Sequence, residues 1–97
     1  MRELRFEWDE RKAAANARIH KVSFDEARTV FFDENALLMP DPDHSDAEAR
    51  FVLIGLSSAL RAIVVCHCYR QATSIRIISA RKANAAECGQ YEGRTKP

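Results

Sequence analysis

The stretch at residues 74–82, Ser-Ile-Arg-Ile-Ile-Ser-Ala-Arg-Lys, constrains the fold more than any other. Ile75, Ile77 and Ile78 are β-branched, and such side chains favour a pleated, packed surface. Ser79 is a good helix N-cap, and residues 80–91 hold no proline and a single glycine, Gly89. The pattern predicts a buried strand that hands the chain straight to a terminal helix. Arg76, Arg81 and Lys82 then flank a helix N-terminus, where anions are already favoured. The junction is expected to form the wall of a phosphate-binding site.

The rest of the chain must build what surrounds that wall. At 97 residues it is long enough for one core and too short for two. No apolar run reaches the roughly 18 residues of a membrane span. Residues 1–9 are charged throughout, unlike a signal peptide. Three cysteines, an odd number without a secretory signal, imply reduced thiols and a cytoplasmic protein. The net charge of +1 conceals a split: residues 33–50 carry six acids and one base, residues 61–97 seven bases and two acids. A basic half attracts polyanions whatever the total, because local potential governs the encounter.

Taken in order, Phe6 and Trp8 alternate with charged neighbours in a short extended lead-in. Asp9 caps a helix through about His20, rich in alanine, with Lys12, Asn16 and His20 on one polar stripe. Ser23 and Glu26 have the spacing of a capping box for a second helix reaching about Phe32. A short apolar run follows at residues 36–39, stopped by Pro40. Residues 50–57 and 61–69 read as strands joined by a turn at Ser58-Ala59-Leu60, the second apolar on both faces and so central. Short turns imply antiparallel neighbours. The expected fold is α+β: an antiparallel sheet of about four strands, two N-terminal helices and one C-terminal helix, with the helices on one face. Residues 93–97 read as a frayed tail.

Several chemistries fail on spacing. The loop at Asp41-Pro42-Asp43-His44-Ser45-Asp46 begins like a calcium loop. Its sixth position is Asp46 where glycine is needed, and its twelfth is Val52 where glutamate is needed. In Cys66-His67-Cys68 the alternation of a strand points His67 away from both thiols, so no metal is expected there. The glycines, Gly55, Gly89 and Gly93, are too scattered to cradle a nucleotide. What remains is cations with a phenol and imidazoles. RNA cleavage needs a base for the ribose 2′-hydroxyl, positive charge for the phosphorane and an acid for the leaving oxygen. Arg50, Arg61, Arg70, Arg76 and Arg81 can supply the charge, since the guanidinium fork matches phosphate oxygens. His20, His44, His67 and Tyr91 are candidates for the proton transfers.

Many stretches together resemble the BrnT toxins of bacterial type II toxin–antitoxin systems, whose fold is similar to that of RelE ribonuclease toxins. They are Phe6-Glu7-Trp8-Asp9 with Lys12 and Asn16; His20 with Val22-Ser23-Phe24 and Ala27; Phe31 and Asp33; and Asp43-His44-Ser45 with Glu48 and Arg50. Gly55, Val65 and Arg70 follow, then Ile75-Arg76-Ile77-Ile78-Ser79-Ala80-Arg81-Lys82-Ala83 with Glu87 and Tyr91. The resemblance implies a metal-independent endoribonuclease, without cofactor, that slows translation. It implies a cognate ribbon-helix-helix antitoxin, operator DNA bound only through that complex, and a homodimer or a toxin–antitoxin heterotetramer. Lys21 stands where the family commonly has glycine. Either Lys21 adopts a backbone conformation that suits glycine, or the first helix ends differently.

Residues and resemblance together assign Arg76 and Arg81 to the scissile phosphate and Arg70 and Arg50 to the RNA backbone. His20 and Tyr91 take the proton transfers, with Lys12 in support. The alternative is a binding module without catalysis, whose basic face holds RNA or an acidic partner segment. Each residue also has a plain role open to it. Arg76 can pair with Glu48, Arg81 and Glu87 can be surface charges, and Tyr91 can pack on the sheet with its hydroxyl in water.

Overall fold

The computed structural model describes residues 3–41 and 48–95. The chain runs β1 (Arg5–Glu7), α1 (Glu10–His20), α2 (Phe24–Thr29), a 3-10 turn (Val30–Phe32), β2 (Leu37–Pro40), β3 (Phe51–Leu56), β4 (Ala62–Gln71), β5 (Ser74–Lys82) and α3 (Ala85–Thr95). The strands form one five-stranded sheet in the order β1-β5-β4-β3-β2. The meander from β2 to β5 is antiparallel, as short connections require. The lead-in is a fifth strand, parallel to β5, so the sheet is mixed. Residues 42–47, with His44 and the calcium-like spacing, lie outside the described residues.

Strand alternation divides the apolar residues between two faces. Leu53, Ile63, Val65, Ile77 and Ala80 meet Val22, Phe24, Ala27 and Val30 beneath α1 and α2. Ile54 and Val64 point the other way and meet Tyr91 of α3. The helices therefore cover both faces, not one. The central run of β4 is apolar on both sides because both sides are packed.

The helix starts follow local chemistry. Asp9 accepts from the Arg11 and Lys12 N–H groups at 2.8 and 3.1 Å, and Ser23 Oγ accepts from Glu26 N–H at 3.0 Å. Lys21 closes α1 at φ 60°, ψ 31°, the left-handed conformation expected where glycine would be easier. The terminal helix departs from expectation. Ser79 caps nothing: it is paired with Cys66, and the β4–β5 ladder continues to Ile63 opposite Lys82. Asn84 caps α3 instead, accepting from Glu87 N–H at 2.8 Å, while Glu87 accepts from Asn84 N–H at 2.9 Å. This is a complete capping box. The helix runs on to Thr95, through part of the expected tail.

β1 pairs with β5 only from Ser74 to Arg76. Beyond that the outer edge of β5 lacks a strand, and Asn16 of α1 takes its place. The Asn16 carboxamide donates to Ala80 C=O at 2.8 Å and accepts from Ala80 N–H at 3.1 Å, as a neighbouring strand residue would. Its second amide hydrogen goes to Val22 C=O at 2.8 Å. Asn16 is 6% exposed, so removing the carboxamide strands buried backbone groups. Asn16→Ala is expected to cost about 3 kcal/mol or more, against a total of roughly 5–10 kcal/mol for a chain of this size. Urea unfolding measures it as a lower midpoint at unchanged slope. Gly55 admits the Val30–Phe32 turn: an added Cβ would stand 2.9 Å from Ala36 Cβ and 3.0 Å from Val30 Cγ1. Gly55→Ala is expected to cost about 1–3 kcal/mol by overpacking in the same assay.

Candidate functional site

The α1/α2 face is sealed, but the α3 face is covered only in part. Cross-strand register aligns Val52, Cys66 and Ser79 there in one row. Arg81 is paired with Val64 one row away. A bulge at Ile78, where β5 spends two residues on one step of β4, bends the strand beside them. The result is a cleft of about 260 Å³. Val52, Val64, Cys66 and Ile78 form its apolar floor, and Asp41, Arg50, Ser79 and Arg81 supply its polar walls. It is smaller than the roughly 300–1,000 Å³ of a drug-sized pocket, a size suited to a short length of backbone.

The arginines near the cleft are held by acids. Arg81 forms a two-pronged pair with Glu87, 2.8 Å at each contact. The guanidinium hydrogen bonds hold the Glu87 carboxyl below its usual range against the opposing effect of burial. Arg76 pairs with Glu7 of β1 at 2.9 Å, not with Glu48. Glu48 pairs with Arg70 at 3.1 Å and accepts from the Cys68 thiol at 3.4 Å. Arg61 belongs elsewhere. Its guanidinium is bound to Glu26 and to Lys21 C=O, which ties the β3–β4 turn to α2.

This fold and this basic cleft have counterparts among known proteins. Residues 8–87 match the family described as the ribonuclease toxin BrnT of a type II toxin–antitoxin system. The chain belongs to the BrnT family. Its fold is similar to the 1.1 Å crystal structure of the Brucella abortus ribonuclease toxin BrnT, with a TM-score of 0.65. The two chains are 24% identical over 84% of this one and 97% of the other. No curated protein matches the sequence. BrnT proteins are ribonuclease toxins, and their class implies an antitoxin as partner.

Of the residues expected to serve a BrnT site, the structure brings Arg50 and Arg81 into the cleft. Arg76 and Arg70 lie on the same sheet face, outside its lining. Five strand positions separate Arg76 from Arg81, roughly 16 Å at about 3.3 Å per residue. Arg76 is drawn towards β1 and Arg81 towards α3. Lys12 and His20 are exposed on α1, across the sheet from the cleft. His67 is fully buried among Phe31, Phe51 and Tyr69, and burial pushes its pKa down. The alternation expected of Cys66-His67-Cys68 holds: both thiols face the cleft side and His67 faces the α1/α2 core. Asp41, Ser79 and Cys66 carry no sequence signal as cleft residues, since only strand register brings them together.

Tyr91 is 8% exposed, and its hydroxyl is not in water. It donates to Asp33 Oδ2 at 2.6 Å, and the same carboxylate accepts from Leu56 N–H at 2.8 Å and Asn35 N–H at 3.0 Å. Burial, then the Asp33 charge, pushes the Tyr91 phenol up to about 12. Burial raises Asp33, but the bonds from Tyr91, Leu56 and Asn35 outweigh it and hold the carboxyl below its usual value. The phenol is thus a brace between α3 and the sheet edge. A raised pKa favours folding while the group is protonated, so the Tyr91 contribution is whole below pH ~10 and disappears as pH rises through ~12. The Asp33 contribution has the opposite sense, present at neutral pH and lost as pH falls through its lowered value. Tyr91→Phe is expected to cost about 1.5–3 kcal/mol at neutral pH. It should also remove part of the stability loss seen between pH ~10 and ~12, measured by urea unfolding across that range.

Proposed function

We propose that the protein cuts RNA without a metal ion, by attack of the ribose 2′-hydroxyl on the adjacent phosphate, and that the cutting inhibits translation. The observation that carries this reading is the convergence of Arg50 and Arg81 on one cleft. The reaction concentrates negative charge on the phosphorane, and two guanidiniums lining one cleft above an apolar floor oppose that charge. Arg76 and Arg70, on the same face, would hold the flanking backbone. A phosphate entering the cleft displaces Glu87 from Arg81, and the fork that grips a carboxylate in two places grips a phosphate in the same way.

Lys12, His20 and Tyr91 receive no step in this reading, because none lines the cleft. The partner is an antitoxin with a ribbon-helix-helix part, which would neutralise the toxin and carry the pair to operator DNA, all in the cytoplasm. Whether the complex is a heterotetramer or the free toxin a homodimer follows from the same reading and is measured by light scattering.

Purified protein is expected to cut RNA in EDTA. Arg81→Ala or Arg50→Ala should slow cutting about 10²–10³-fold, the loss typical of a charge-stabilising donor. Arg76→Ala and Arg70→Ala should mainly weaken binding and each lower the salt slope by about 0.7. Cutting that requires added divalent metal, or full activity in Arg81→Ala, sinks the proposal. Salt-sensitive binding without cutting would favour a binding module.

A further inference from the structure

We infer that Asp41 is the general base of this cleft, taking the proton from the ribose 2′-hydroxyl beside the phosphate that Arg50 and Arg81 hold. The inference rests on the proposed ribonuclease reading and assigns that reading a residue it lacks. Asp41 follows the last residue of β2, and its N–H donates to Arg50 C=O at 2.9 Å, which extends the β2–β3 ladder by one pair. Met39 is paired with Val52 on the cleft side, and Asp41, two positions on, shares that side. Its carboxylate lines the cleft and accepts from the Cys66 thiol at 3.8 Å. The backbone is thus fixed by the sheet, and the side chain lines the same cleft as the two arginines.

Proton acceptors in the cleft are few. The guanidiniums stay protonated throughout the working range. The Ser79 hydroxyl is a weak base. Burial, then the Asp41 charge, pushes the Cys66 thiol up, so it stays protonated at neutral pH. Among the described residues of the lining, the Asp41 carboxylate remains. Among the described residues, the charged and titratable groups that line the cleft with it are Arg50, just before β3, Cys66 of β4 and Arg81 of β5.

The step balances without a further reactant beyond water. The 2′-hydroxyl proton passes to Asp41, the 2′-oxygen bonds to phosphorus and the bond from phosphorus to the 5′-oxygen breaks. The leaving oxygen takes a proton from water, and the hydroxide so formed takes the proton from Asp41. The products are a 2′,3′-cyclic phosphate end and a 5′-hydroxyl end, with nothing oxidised or reduced.

The test is cleavage of an end-labelled RNA in EDTA, with binding measured alongside. Asp41→Asn is expected to slow cutting about 10²–10⁴-fold, the usual share of a general base. RNA affinity should be unchanged or tighter, because a negative charge has left a polyanion site. Asp41→Glu should restore part of the rate. Rate against pH should show an acid limb in the parent that is absent from the residual activity of Asp41→Asn. Asp41→Asn that cuts at the parent rate, while Arg81→Ala does not, overturns the base assignment and leaves the ribonuclease reading standing. An acid limb that persists unchanged in Asp41→Asn also overturns it. A parent protein that does not cut in EDTA overturns both. Should Asp41→Asn fail to fold, as seen by circular dichroism, Asp41→Ser takes its place, and a folded variant without the carboxylate that cuts at the parent rate overturns the assignment.

Discussion

The double hydrogen bond between the Asn16 carboxamide and the backbone of Ala80 is the contact the fold depends on. β1 protects only the first third of β5, and an uncovered strand edge is both unsatisfied and prone to pair with other chains. A side chain that imitates a strand residue solves both problems at once. It also fixes the height and rotation of α1, which places Ala13 and the following Val22 against the core. Because α1 and α2 bury the larger cluster of apolar residues on that face, the chain can leave part of the other face polar. The cleft exists because its opposite side is sealed.

Carboxylates then divide the arginines into two kinds. Glu26 is half-buried and grips Arg61 through several contacts while also accepting from Ser57, and Arg61 reaches Lys21 C=O as well, so that pair is a structural tie. Its guanidinium hydrogen bonds hold Glu26 below its usual range, against burial. Glu7, Glu48 and Glu87 hold Arg76, Arg70 and Arg81 on a face open to solvent. Pairs of that sort are worth little in isolation, about 0–1 kcal/mol. Position, rather than residue type, separates a structural arginine from one available to a polyanion.

What was legible in the sequence was what local chemistry decides. Asp9 and Ser23 cap because a side-chain oxygen reaches an N–H two or three residues away. Lys21 takes the left-handed conformation because the helix must stop before the next cap begins. The split of Cys66-His67-Cys68 between faces follows from the period of a strand. Expectation failed where a distant partner decides. Ser79 has the chemistry of a cap, but β4 continues beside it and the ladder outweighs a cap that Asn84 can supply five residues later. Tyr91 has the chemistry of a catalyst, yet Asp33, 58 residues away in sequence, turns it into a brace. Four of the expected arginines share a face, but only the folded chain shows that two of them line one cleft, with Asp41 at the end of the edge strand β2 beside them.

The Arg81–Glu87 pair joins these two themes. Glu87 Oε1 accepts both from Arg81 and from the Asn84 N–H, while Oε2 accepts from Arg81 alone. On the proposed reading, a phosphate that takes the guanidinium would leave Glu87 its bond to Asn84, so the cap of α3 would survive the exchange. The helix that carries Tyr91, and with it the closed end of the sheet, would stay in place while the arginine changes partner. Before the exchange, the carboxylate holds the guanidinium extended at the cleft wall, so little side-chain freedom is left for the phosphate to remove. On that reading, an acid that looks like a competitor for the substrate would also hold the cation in place for it.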